Sequence, residues 1–126
     1  MATIKAYTDI SQSKKLAEIL PLESADMYYM NGTKHVLVIP NYETDFFNLQ
    51  EKDIPCWSLA TLRNLLPVGI EINENVYLFE SHNTFDNSWV YRYYNEDDTS
   101  YLYCKNTSEI NACVEMIIKL HELNLL

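Results

Sequence analysis

The stretch VYLFESHNTFDNSWVYRYYNEDDTSYLYC, residues 76–104, decides the fold of this chain. Its three segments rich in aromatic and aliphatic residues, 76–81, 88–94 and 100–104, are joined by the polar connections HNTFDN and NEDDT. Connections this short join antiparallel neighbours, so the stretch predicts a three-stranded β-meander. We expect a further short strand at residues 70–72.

Alternation along the middle strand of this meander predicts which side chains are buried. Successive side chains of a strand point to opposite faces, so Trp89, Tyr91 and Tyr93 share one face. We expect this face to be the core. Tyr94 and Tyr101 are then candidates for exposure, and together with Arg92 they are candidate contacts for a protein partner, because aromatic side chains anchor interfaces.

The C-terminal segment predicts a helix that covers the sheet. Thr107 or Ser108 can cap its N-terminus. The side chains that recur at helical spacing along one stripe are Ile110, Cys113, Val114, Ile117, Leu120 and His121. Polar residues fall mostly on the opposite side, and an amphipathic helix of this kind packs its apolar stripe against a sheet.

The N-terminal half adds two helices and a hairpin. A helix is predicted over residues 10–20, capped by Asp9 or Ser11, and a second over residues 59–66, capped by Ser58. Asn31-Gly32 predicts a tight turn between strands at residues 27–30 and 35–39, and residues 41–53, including Phe46-Phe47, suggest a loop or short helix. The predicted fold is therefore α+β: one domain, 1–126, with three helices and an antiparallel sheet of four to six strands.

Composition excludes several classes of function. The chain has 126 residues, 48% of them apolar, and a net charge of −9, which disfavours nucleic acid and anionic membranes as partners. With only two glycines, Gly32 and Gly69, it lacks a glycine-rich phosphate loop, and we expect no cofactor. The N-terminus has no signal-peptide pattern, and the three cysteines suggest free thiols in a cytoplasmic protein.

Cys56 precedes the second predicted helix and is a candidate nucleophile. Unpaired N–H groups at a helix N-terminus can lower a thiol pKa, and His82 is the histidine that could assist it. The alternative is that Cys56 and Trp57 are buried residues that fix the helix entrance, with Pro55 setting the angle of approach. No further catalytic partner is evident in the sequence, so the packing interpretation is preferred.

Glu80, His82 and Asp86 are candidate metal ligands. Glu80 and His82 lie on the same side of a strand, and the following loop could return Asp86 to them. The alternative is a polar strand end that runs into a turn. The acidic run 96–98 lacks the spacing of a calcium loop and suggests a solvated hairpin tip.

The runs LPLESADMYY, DIPCWSLATLRNLLP and CVEMIIKLHELNLL resemble small uncharacterised proteins of phages and integrated mobile elements of gut anaerobic bacteria. The resemblance implies a cytoplasmic accessory protein of a mobile element, a class that often acts by binding another protein, and it assigns no residue a role. Because the sequence lacks a phosphate loop, a convincing metal site and a catalytic triad but has aromatic strands, we expect a non-enzymatic protein that binds a partner or itself. Two alternatives stay open: a cysteine-dependent hydrolase or transferase that uses Cys56 and His82, and an acidic inhibitor of a DNA-processing enzyme. The second requires acidic residues gathered on one face.

Overall fold

The computed structural model describes residues 6–39 and 50–126, so the predictions for residues 40–49 lie outside the described residues. The described helices are α1 (Ile10–Ala17), α2 (Leu59–Leu65) and α3 (Glu109–Glu122). The strands are β1 (Met27–Tyr29), β2 (Val36–Val38), β3 (Ile54–Cys56), β4 (Gly69–Ile72), β5 (Asn75–Asn83), β6 (Trp89–Tyr94) and β7 (Ser100–Asn106). They form two antiparallel sheets, which confirms the α+β fold.

The chain divides into two compact units, Ala6–Thr61 and Leu62–Leu126, with the division inside α2. No helix within the described ranges combines the length and apolarity that crossing a bilayer requires.

The first unit begins with a capped helix. The Asp9 carboxylate accepts a hydrogen bond from the Gln12 N–H at 2.7 Å, and the Gln12 side chain accepts one from the Asp9 N–H at 3.1 Å. This reciprocal capping box confirms Asp9 as the cap and satisfies two backbone donors. Regular α-helix ends at Ala17, three residues before the predicted end at residue 20.

A three-stranded sheet, in the order β2-β1-β3, forms the rest of this unit. The predicted hairpin is confirmed: Asn31 and Gly32 both have positive φ, 52° and 69°, and β1 pairs antiparallel with β2. Strand β3 is an addition to the predicted strands, and its middle residue is Pro55, which has no backbone N–H to donate. It is tolerated there because β3 lies at the sheet edge.

The second unit contains the predicted meander, in the order β4-β5-β6-β7. The Asn73-Glu74 turn, with φ of 51° and 71°, joins β4 to β5, and residues 95–99 join β6 to β7 at the same end of the sheet. Asn95 holds the second turn, since its side-chain oxygen accepts hydrogen bonds from the N–H groups of Asp97 and Thr99. The turn between β5 and β6 lies at the opposite end.

Helix α3 packs on β6 and β7, as predicted. Ser108 is its N-cap, accepting a hydrogen bond from the Asn111 N–H, and its predicted apolar stripe is buried except for His121, which is exposed. Tyr91 and Tyr93 are fully buried on the sheet face that α3 covers. We call this face the inner face of the four-stranded sheet and the opposite one the outer face.

Candidate binding surface

The outer face of the four-stranded sheet carries exposed apolar side chains. The cross-strand register places Leu78 beside Tyr94, Glu80 beside Arg92, and Arg92 beside Tyr103. These side chains alternate with the buried ones of the inner face, as strand geometry requires. Leu78 is 49% exposed and Val76 is 58% exposed, so this face presents apolar surface to solvent.

Gly69 on β4 makes room for one of these side chains. It lies opposite Leu78 in the register, and a Cβ added at Gly69 would approach the Leu78 Cδ2 atom at 3.3 Å. The missing side chain therefore lets Leu78 lie close to the edge strand. This is a packing role, distinct from the positive φ that Gly32 supplies in its turn.

A cleft of about 550 Å³ lies at the end of the sheet where the two hairpin turns meet. Its lining residues are Glu74, Asn75, Val76, Leu78, Tyr94, Asn95, Glu96 and Asp97. We call it the acidic cleft, because three of these residues are carboxylates and none is a lysine or arginine. Its volume falls within the range of about 300–1,000 Å³ that is typical of ligand pockets.

Arg92 fixes the position of Tyr94 beside the cleft. Its guanidinium lies 4.6 Å from the centre of the Tyr94 ring, a distance typical of a cation–π contact. The same guanidinium donates to Glu80 at 2.8–2.9 Å and to Asp98 at 2.8 Å. The hydrogen bond with Glu80 and the contact with Asp98 raise the Arg92 pKa. The arginine is thus neutralised by Glu80 of β5 and by Asp98 of the turn between β6 and β7.

The other sequence-predicted binding residue, Tyr101, lies outside the lining of the cleft. Its side chain is 41% exposed, and its ring centre lies 5.2 Å from that of Tyr77. The structure thus brings Tyr94 and Arg92 into contact but places Tyr101 against a different aromatic side chain.

The candidate metal ligands have protein partners in the structure. The His82 Nδ1 atom lies 2.9 Å from the Glu80 carboxylate, while Asp86 contacts Lys105 at 3.1 Å and is also hydrogen-bonded by Thr84. The strand therefore brings Glu80 and His82 together, but Asp86 contacts other residues. Within residues 6–39 and 50–126, no group of three or more potential ligands is arranged to hold a metal ion.

Cys56 lies on β3 and is fully buried, three residues before α2 begins. Its thiol donates a hydrogen bond to the Thr8 carbonyl at 3.4 Å. Burial raises the thiol pKa above its ordinary value, although a hydrogen bond from the Thr8 hydroxyl opposes that effect. Burial thus acts against the lowered pKa that the sequence-based hypothesis of a nucleophile requires. The adjacent Trp57 is also fully buried.

A second polar cluster, missed by the sequence analysis, lies at the border of the inner face. The Tyr91 hydroxyl donates to Glu109 at 2.7 Å and accepts from Arg63 at 2.7 Å, and Arg63 also pairs with Glu109 at 2.6 Å. Burial and the hydrogen bond to Glu109 raise the Tyr91 pKa. The three groups satisfy one another around a buried hydroxyl, which indicates a structural role.

Comparisons with known proteins found no match for this chain among family models, curated proteins or solved structures.

Proposed function

We propose that this chain is a non-enzymatic binding protein that docks a protein partner on the outer face of its four-stranded sheet. The observation that carries the proposal is the acidic cleft, in which the half-exposed Leu78 and Val76 lie beside Tyr94. Removing apolar surface from water favours association by about 25 cal/mol per Å². A cleft that leaves aliphatic and aromatic surface open to solvent is therefore suited to a partner's side chain.

The chemistry of the candidate catalytic residues supports binding over cysteine-dependent catalysis. A thiol reacts as its thiolate, and burial of Cys56 raises the pKa that controls the thiolate fraction. His82 is held by Glu80 of the same strand. Neither side chain lines the acidic cleft.

The distribution of charge favours a protein over a nucleic acid as the partner. Arg92, the cation next to the cleft, is already paired with Glu80 and Asp98. Phosphate binding needs available cations, and the lining of the cleft supplies carboxylates instead. The acidic-inhibitor alternative draws support from the same carboxylates. However, they share the lining of the cleft with Val76, Leu78 and Tyr94, whereas imitation of DNA would call for a continuous acidic face.

The resemblance to proteins of phages and mobile elements supports a biological setting for this activity. In the proposal, the chain is a cytoplasmic accessory protein of such an element, and it acts by occupying a surface of another protein. Its high negative charge is compatible with this role, because charge of one sign steers encounters with oppositely charged partners.

The test is a comparative pull-down from a gut-anaerobe lysate with three forms of the tagged chain. These are the wild type, Leu78→Ser in the acidic cleft, and Phe85→Ser as the matched control. Phe85 is a fully exposed apolar residue in the turn at the opposite end of the sheet. Bound proteins are identified and quantified by mass spectrometry, and urea unfolding verifies that each variant is folded.

We expect the wild type and Phe85→Ser to capture the same partner in a fixed ratio, and folded Leu78→Ser to lose it. Equal capture by Leu78→Ser would overturn the proposal, because the cleft would then not be the docking site. Capture of no protein in a fixed ratio by the wild type would also overturn it.

A further inference from the structure

We propose that the occupant of the acidic cleft is a basic segment of a different protein, in which an apolar side chain is flanked by lysine or arginine. This inference rests on the proposed function, since it names the chemistry of the partner that docks there. The apolar side chain would lie on Val76 and Leu78, and the flanking cations would face the carboxylates at the rim. The charges of the cleft lining and the net charge of the whole chain both favour such a partner.

The carboxylates at the rim come from both hairpin turns. Glu74 belongs to the turn between β4 and β5, and Glu96 and Asp97 belong to the turn between β6 and β7. An occupant lying across the cleft would therefore face negative charge from both turns. Cations on either side of an apolar anchor match this arrangement, and like charges there would be repelled.

The part of the cleft lining that the structure describes contains no lysine or arginine to offset these carboxylates. The nearby Arg92 sits under the Tyr94 ring, but its charge is shared between Glu80 and Asp98. These contacts leave Glu74, Glu96 and Asp97 as the charges that an incoming segment meets. A bound segment would exclude water from the half-exposed Val76 and Leu78, which strengthens attraction between the carboxylates and its cations.

The charge of the whole chain disfavours a second copy as the occupant. The sequence holds 18 acidic and 9 basic residues, so two copies would approach with net charges of the same sign. Long-range repulsion slows such an encounter, whereas a basic partner is attracted from solution. The cleft therefore favours association with a different chain.

The test titrates the full-length, isotope-labelled chain with three short synthetic peptides and follows the backbone amide resonances. In the first peptide lysines flank a tryptophan, in the second serine replaces the tryptophan, and in the third glutamates replace the lysines. We expect the first to shift the resonances of Val76, Leu78 and Asn95. It should also bind at least about tenfold more tightly than the second, as loss of an interface anchor implies. The third should not bind.

Charge variants of the chain show whether the carboxylates of the cleft, and not the acidic surface in general, attract the peptide. The double variant Glu96→Gln and Asp97→Asn should weaken binding of the first peptide by about three- to tenfold, because it removes two attractive charges. Asp86→Asn, a change of the same kind at the opposite end of the sheet, should leave binding unchanged. Equal weakening by both changes would overturn the inference, as would equal binding of the lysine and glutamate peptides.

Two further results distinguish failure of this inference from failure of the proposed function. Concentration-dependent shifts at Leu78 without peptide, with a dimer in analytical ultracentrifugation, would show that a second copy occupies the cleft and overturn the inference. If Leu78→Ser abolishes capture from lysate but the peptides show no preference for lysine, the cleft remains the proposed docking site. The inference of a basic partner is then wrong. If Leu78→Ser retains capture, the proposed function itself fails.

Discussion

Tyr91 and Tyr94 lie three residues apart on the same strand, yet they belong to opposite faces of the sheet and have different surroundings. The Tyr91 ring is fully buried, and its hydroxyl is hydrogen-bonded to Arg63 and Glu109. The Tyr94 ring lines the open acidic cleft, with the guanidinium of Arg92 against it. The comparison shows that one aromatic strand can contribute to the core on one face and to a solvent-exposed cleft on the other.

The two faces also differ in the solvent exposure of their polar groups. On the inner face, the Tyr93 hydroxyl donates to the Pro67 carbonyl at 2.7 Å, and burial raises the pKa of Cys104 to about 11. Burial also raises the pKa of Cys113, on the helix that covers this face, to about 12. Among the described residues, every buried side-chain nitrogen and oxygen has a hydrogen-bond partner. The outer face instead carries partly exposed ion pairs, which contribute little to stability but fix side-chain positions.

The largest expected contrast between the faces is in the free energy of unfolding after truncation of leucine. Leu120 of α3 is fully buried, and Leu78 is half exposed. Leu120→Ala should lower the free energy of unfolding by about 2–5 kcal/mol, because it removes buried methyl groups and leaves a cavity. Leu78→Ala should lower it by about 1 kcal/mol or less. Urea unfolding of both variants measures the difference, and equal losses would show that the outer face is part of the core.

A smaller contrast concerns the tyrosine hydroxyls. Tyr91→Phe should lower the free energy of unfolding by about 1–2 kcal/mol, because the buried cluster loses a donor to Glu109 and an acceptor for Arg63. Tyr103→Phe on the outer face should change it by no more than about 0.5 kcal/mol, since Tyr103 is 47% exposed and water can replace its contacts. Urea unfolding at neutral pH compares the two. A neutral Tyr91→Phe would mean that the cluster does not support the inner face.

The inner face was predictable from the sequence because β6 alternates with a clear period. Tyr91 and Tyr93 fall on the side that the apolar stripe of α3 needs to cover, and both are fully buried. Trp89, predicted on the same face, is only half-buried, and Val90 is buried although it points to the outer face. In β5 the alternation between apolar and polar side chains is weaker. Val76 and Leu78 alternate with Tyr77 and Phe79, so both sides of that strand are apolar and periodicity cannot tell which is exposed. The floor of the cleft could therefore not be identified from alternation alone.

Other features depend on contacts between residues far apart in the sequence. Arg63 and Glu109 meet at Tyr91 across separations of 28 and 18 residues, and no local pattern encodes that contact. The ion pairs of Arg92 could likewise not be inferred from the sequence. The sequence shows a cation on an aromatic strand, and only the fold shows that Glu80 and Asp98 neutralise it.

The smallest expected effect is the pH dependence contributed by an exposed carboxylate near the turn between β5 and β6. The hydrogen bond from Thr84, followed by the contact with Lys105, lowers the Asp86 pKa from 3.8 to about 2. A carboxylate whose pKa is lower in the folded chain stabilises the fold above its unfolded pKa. That contribution disappears as pH falls through the folded pKa. The Asp86 contribution is therefore present at neutral pH and lost between about pH 4 and about pH 2.

Asp86→Asn should make the free energy of unfolding depend less steeply on pH in this window, with a change at neutral pH smaller than that of Tyr91→Phe. Urea unfolding midpoints measured at about pH 7, about pH 4 and about pH 2.5 would test this. The first lies above the titration of Asp86, and the other two lie near its upper and lower ends. Salt separates the two causes, because it screens the exposed pair with Lys105 but leaves the hydrogen bond from Thr84. A difference between wild type and variant that persists in high salt would assign the effect to Thr84. Parallel pH profiles would show that Asp86 has no such role, and that the ion pairs at this end of the outer face only position side chains.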